Sequence, residues 1–140
     1  MKDKLFLDTN VMLDLLGERE PFYDSIAKIA TIADKGKVKL IVSALSYSTI
    51  YNLLSKFEKN EIVKEKLRKF KVISETSDLT DRIIDKALTS KFPDFEDALQ
   101  YHCALKMDCN ILITRNENDS KKSDIPVMTP DEYLKSLKSK

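Results

Sequence analysis

Four aspartates stand where side chains can do chemistry. Asp8 ends the apolar run Leu5-Phe6-Leu7. Asp94 and Asp97 lie three apart in "PDFEDALQY", and Asp119 follows "ILITRNEN". A carboxylate at the exit of a buried strand is costly unless it is paired or used. Residues three apart at a helix start share a face, so Asp94 and Asp97 belong together while Glu96 points elsewhere. The helix start itself makes carboxylates more tolerable. If these acids converge, each ionised pair repels by about 1–4 kcal/mol at effective dielectrics of 20 to 80. Either one takes up a proton or a cation sits between them. Oxygen donors without thiolate or imidazole suit Mg²⁺ or Mn²⁺. Such a cation binds a phosphate oxygen and activates water for in-line attack on phosphorus.

Each acid also has a plainer reading, because Asp and Glu fill 23 of 140 positions and some fall near any rim by chance. Asp94 after Pro93 is equally an N-cap, and Asp119 in "NENDS" is equally a turn residue. Asp8 is the hardest to read as structural only, since an apolar strand leads straight into it. Asp14 and Asp24 read as surface acids.

The elements that must position these groups alternate along the chain. Strands are expected at Lys4–Asp8, Val38–Ser43, Lys71–Ser74, Asn110–Thr114 and Pro126–Met128. Helical periodicity covers Val11–Leu16, Phe22–Lys35 with Gly36 as its stop, and Leu45–Phe57, with Leu45, Thr49, Tyr51, Leu53 and Leu54 facing inward. It continues over Glu61–Phe70, Asp78–Ser90 (capped by Ser77 or Asp78), Asp94–Met107 and Asp131–Leu137. This order predicts an α/β/α sandwich, a single domain over 1–140, with a mostly parallel, doubly wound sheet of about five strands. Such sheets carry functional groups at the carboxyl ends of their strands. Asp8 and the exit of the fourth strand (Thr114-Arg115-Asn116) meet that condition.

Composition narrows the classes. Hydrophobic residues make up 42% and charged residues 34%, which argues against disorder. The two glycines form neither G-x-G-x-x-G nor G-x-x-x-x-G-K-[ST], so a phosphate-binding glycine loop is not built here. Cys103, Cys109 and the single His102 have no zinc spacing and read as buried free thiols and a lone imidazole. No stretch is long and apolar enough to span a bilayer, so a soluble, cytoplasmic protein is expected, with no membrane partner. A net charge of +1 leaves any nucleic-acid contact to a local patch, for which Lys91, Arg115, Lys121 and Lys122 are candidates.

Four stretches, "LDTNVMLDLL", "IVSALSYSTIYNLL", "DFEDALQYHCALKMDCNILITRN" and "ENDSKKSDIPVMTPDEYL", give the chain a resemblance to the PIN domain. This is a family of Mg²⁺- or Mn²⁺-dependent nucleases that includes the VapC-type toxins of bacterial toxin–antitoxin modules. The resemblance implies that Asp8, Asp97 and Asp119 bind metal, with Asp94 as an accessory acid. Thr9 and Asn10 would shape the first loop, while Thr114 and Asn116 would hold the cluster and the scissile phosphate. It further implies an endoribonuclease acting on RNA, an antitoxin protein as partner, and a homodimer. Phe57, Phe70 and Tyr23 are available to such an interface, although core packing is the stronger reading for each. One departure stands out: where these nucleases present a glutamate after the second strand, this chain has Thr49. Its hydroxyl offers contact to a metal-bound water, and Asn52, one turn on, an amide oxygen. A weakened PIN domain that binds RNA or protein without cutting is therefore the second reading. Phosphotransfer folds fit poorly: a haloacid-dehalogenase type needs an aspartate where Asn10 stands, and a receiver domain needs one after the third strand, which ends in Ser74-Glu75-Thr76.

Overall fold

The computed structural model describes residues 2–115 and 123–138. Five strands, β1 (Asp3–Leu7), β2 (Val38–Ser43), β3 (Ser74–Ser77), β4 (Ile111–Ile113) and β5 (Val127–Met128), form one sheet in the order β3-β2-β1-β4-β5. Every pairing is parallel. Between the strands run α1 (Thr9–Leu16), α2 (Tyr23–Asp34), α3 (Ala44–Leu54), α4 (Asn60–Val72), α5 (Asp81–Leu88) and α6 (Phe95–Lys106), and α7 (Pro130–Lys138) closes the order. The expected α/β/α sandwich with a parallel five-stranded sheet is what forms.

The two-residue period of a strand explains the two cores. On central β1, Leu5 and Leu7 face one side and Phe6 the other; on β2, Leu40 and Val42 oppose Ile41. The first set packs with Val11 and Met12 of α1, Ile26 and Ile29 of α2, Ile50 of α3, Phe70 of α4 and Tyr133 of α7. The second packs with Ile83 and Ala87 of α5 and with Ala98, Leu99 and Cys103 of α6. Burying each such side chain is worth about 1.5–3 kcal/mol, enough to hold β1 in the middle. All strands then end on one rim, where the helices that return toward them begin.

Several local expectations are corrected. β3 is Ser74–Ser77 rather than Lys71–Ser74, because the apolar stripe Val63-Leu67-Phe70 carries α4 through Val72 and leaves "SETS" to pair at the sheet edge. The α5 cap is Thr80, whose hydroxyl accepts from the Ile83 N–H at 3.3 Å; Ser77 is spent as the last strand residue. In α3 Leu54 is buried as expected and Leu45 and Tyr51 pack against the two cores, but the fully inward line also takes in Ser46 and Ile50, while Leu53 is 36% exposed. Phe57, expected in the core, is 86% exposed; Phe70 is buried and Tyr23 half-buried. Cys103 and Cys109 are buried free thiols, and burial pushes Cys109 up to about 12.

Candidate active site

Asp8 lies one residue past the last β1–β4 pair and continues it, its N–H donating to the Ile113 carbonyl at 2.9 Å. It is also the N-cap of α1, a half-buried residue whose carboxylate faces the orphan N–H groups of the first turn. Both carboxylate oxygens are held. Oδ2 accepts from Thr114 Oγ1 at 3.0 Å, and Oδ1 from Gln100 Nε2 at 3.3 Å. Thr9 is buried behind it, with its hydroxyl paired to Ser46 Oγ at 2.7 Å and its N–H donating to Gln100 Oε1 at 3.0 Å. The expected contribution of Thr9 to this corner is therefore specific: it joins α1 to α3 and α6.

From α6, Asp94 caps the helix by accepting the Asp97 N–H at 3.0 Å, the plainer of its two roles. It also lines a polar cleft with Asp97, Asp8, Asn10 and Thr49. Glu96 lines the same cleft, contrary to the expectation that it points away. The cleft encloses about 480 Å³, counting its open mouth. Thr49 reaches its wall, but its hydroxyl donates back to the Leu45 carbonyl at 3.3 Å. One turn on, the lining residue is Leu53; Asn52 is exposed and is not part of the wall. A second, mostly apolar cavity lies beside the cleft, walled by Phe6, Phe92, Tyr101, Leu112 and Val127. Asp8, Asp97 and Gln100 line both spaces and stand between them.

Arg115 is placed differently from its expected role. Its Nε donates to Asp14 Oδ2 at 2.7 Å and its Nη2 to Asp14 Oδ1, and its guanidinium lies 4.2 Å from the Phe22 ring centre. Asp14, expected at the surface, is 1% exposed. The Asp14 hydrogen bond raises the Arg115 pKa above its ordinary value, with burial opposing and the Asp14 and Asp8 charges assisting. Asn116, Asp119, Lys121 and Lys122 lie outside the described residues. Lys91 is exposed.

Sequence reasoning missed Gln100. The available signal was a polar amide on α6 among Ala98, Leu99, Tyr101, Cys103 and Ala104, all buried.

The donor set is all oxygen. Among the described residues no three Asp, Glu, His or Cys side chains form a complete metal cage. Asp8 and Asp97 nevertheless open to the same spaces, which fits a small hard cation that keeps several waters and takes one or two carboxylates plus substrate phosphate.

Comparison with known proteins decides the family. The profile described as PIN domain matches residues 4–118. The chain belongs to the PIN domain family. This PIN domain is 29% identical over 135 residues to Ribonuclease VapC1 of Aquifex aeolicus (strain VF5), covering 94% of the chain and 93% of that protein. Its fold matches VapBC2 from Rickettsia felis, solved bound to a DNA fragment from its promoter (TM-score 0.69, 16% identity, 90% of this chain and 98% of that one). It also matches Mycobacterium tuberculosis VapC20, a Sarcin-Ricin loop cleaving toxin (TM-score 0.65, 10% identity, 84% and 93% covered). VapC nucleases of the PIN type are divalent-metal dependent.

Proposed function

We propose that this PIN domain is an endoribonuclease of VapC type, hydrolysing RNA phosphodiester bonds with Mg²⁺ or Mn²⁺. In this reading it is the toxin of a pair whose antitoxin covers the cleft. The supporting observation is that Asp8, from the sheet, and Asp97, from α6, line the same two cavities at the carboxyl rim. These two carboxylates would hold the cation, with Asp119 as the third ligand implied by the family likeness and Asp94 as an accessory acid. When bound there, the cation would neutralise a phosphate oxygen and make a water more acidic. The chain's own part is preorganisation. Thr114 and Gln100 fix both oxygens of Asp8, and the Asp94 cap fixes the backbone that carries Asp97.

Partners of the similar solved proteins include an antitoxin in the Klebsiella pneumoniae toxin-antitoxin complex, and this motivates the antitoxin reading. Metal-dependent cleavage of labelled RNA by the purified protein, slowed about a thousandfold in Asp8→Asn, is the expected result. A pure wild type that cleaves nothing in excess Mn²⁺ overturns the proposal. The second reading, a PIN domain that binds RNA or protein without cutting, is favoured by Thr49. A neutral side chain stands at the usual acidic place, and its hydroxyl bonds its own helix.

A further inference from the structure

We propose that Gln100 is a positioning residue: its amide sets where the Asp8 carboxylate lies relative to Asp97. The reaction it serves rests on the nuclease reading above, whereas the geometry rests on hydrogen bonds alone. Gln100 is 7% exposed, and both ends of its amide are engaged at one corner. Oε1 accepts the Thr9 N–H at 3.0 Å, and Nε2 donates to Asp8 Oδ1 at 3.3 Å. The Thr9 N–H opens α1 and has no acceptor within that helix. It therefore fixes which end of the amide is oxygen, since the flipped amide would set N–H against N–H and oxygen against carboxylate. The correct orientation necessarily aims the NH₂ at Asp8.

Gln100 is also three residues beyond Asp97 on α6, so the two share a face about one turn apart. One helix thus carries both a cleft carboxylate and the donor that holds the other cleft carboxylate. The donor is neutral. A lysine or arginine here would hold Asp8 and cancel its charge; an amide holds it and leaves the charge for a cation. The bond to the Thr9 N–H is buried, and the bond to Asp8 lies where the two cavities meet.

The test uses the full chain with Gln100→Met, which keeps length and helix propensity but loses both polar atoms, and Gln100→Glu, which keeps the acceptor for Thr9 but cannot donate to Asp8 when ionised. Cleavage kinetics with labelled RNA, Mn²⁺ affinity by calorimetric titration, and thermal melting are measured together. In Gln100→Met, kcat and Mn²⁺ affinity are expected to fall about 10–100-fold, the usual cost of losing a partner of a metal ligand, with KM for RNA unchanged. Gln100→Glu sets a second carboxylate beside Asp8, so it is expected to lose kcat and to melt below the wild type. Gln100→Asn, a neutral amide too short to reach both partners, is expected to lose kcat and decides the point if the other two do not fold. Wild-type kcat and Mn²⁺ affinity in Gln100→Met, or wild-type kcat in Gln100→Asn, would reduce Gln100 to packing whatever the melting temperature does. A wild type that binds Mn²⁺ but cleaves no RNA, with binding weakened in Gln100→Met, sinks the nuclease reading and leaves the positioning role standing.

Discussion

Asp8 and Asp14 stand at the two ends of one short helix and have opposite fates. Asp8 is half-buried, held by the neutral donors Thr114 and Gln100, and opens to two cavities. Asp14 is 1% exposed and is gripped through both oxygens by Arg115. Burial of a carboxylate is therefore a poor guide to chemistry. What separates the two is the charge of the partner. A cationic partner consumes the negative charge in holding α1 against the exit of β4, whereas neutral partners orient it and leave it available.

Substitutions at the two ends should divide activity from stability. Asp8→Asn is expected to have the largest effect, slowing metal-dependent RNA cleavage about a thousandfold, or about 4 kcal/mol of transition-state stabilisation. Its melting temperature should hold, since Asn caps a helix as well as Asp. Cleavage kinetics and a melting curve on the same sample check both halves. Arg115→Met comes next, with a loss of about 3 kcal/mol in chemical denaturation, because it strands the buried Asp14 charge. Asp14→Asn should cost less, since the released guanidinium side chain is already 26% exposed; equal losses would break the claimed asymmetry.

Thr114→Val removes one donor from Asp8 and should cost about 1.5–3 kcal/mol, read as slower cleavage at unchanged KM for RNA. Unchanged kcat in this variant would show that Asp8 does not need its neutral holders. His102 gives the smallest effect. Burial, and then the Lys86 charge, lower its pKa from 6.5, so the unfolded chain takes up this proton first as pH falls. Its contribution to stability is present above pH 6.5 and is lost as pH drops from there toward the lower folded value. Melting temperatures across that window should fall less steeply in His102→Asn.

The fold was largely legible because alternating apolar runs and 3.6-residue stripes report local burial. Asp8 was legible for the same reason: the strand that leads into it announces its place on the rim. Asp14 was not, since its partner lies 101 residues away and nothing within its own helix announces a charge to pair with. The third strand was misplaced because "SETS" has little strand propensity and is held by β2 rather than by its own residues. In α3 the sequence offered several apolar stripes, and the one that is buried runs through Ser46, Ile50 and Leu54, with Ser46 bonded to Thr9 across the helices. Gln100 stayed hidden because an inward amide has meaning only once the groups opposite it are known.

The outer strands carry a consequence for assembly. β3 has four residues and β5 two, so neither flank gives an incoming chain a long ladder of main-chain bonds. Recognition by strand addition would gain little on either side, and stacking of copies into fibrils starts from no extended template. Among the described residues, the surface left for tight binding is that of side chains on the helices and rim, where shape and charge choose the companion.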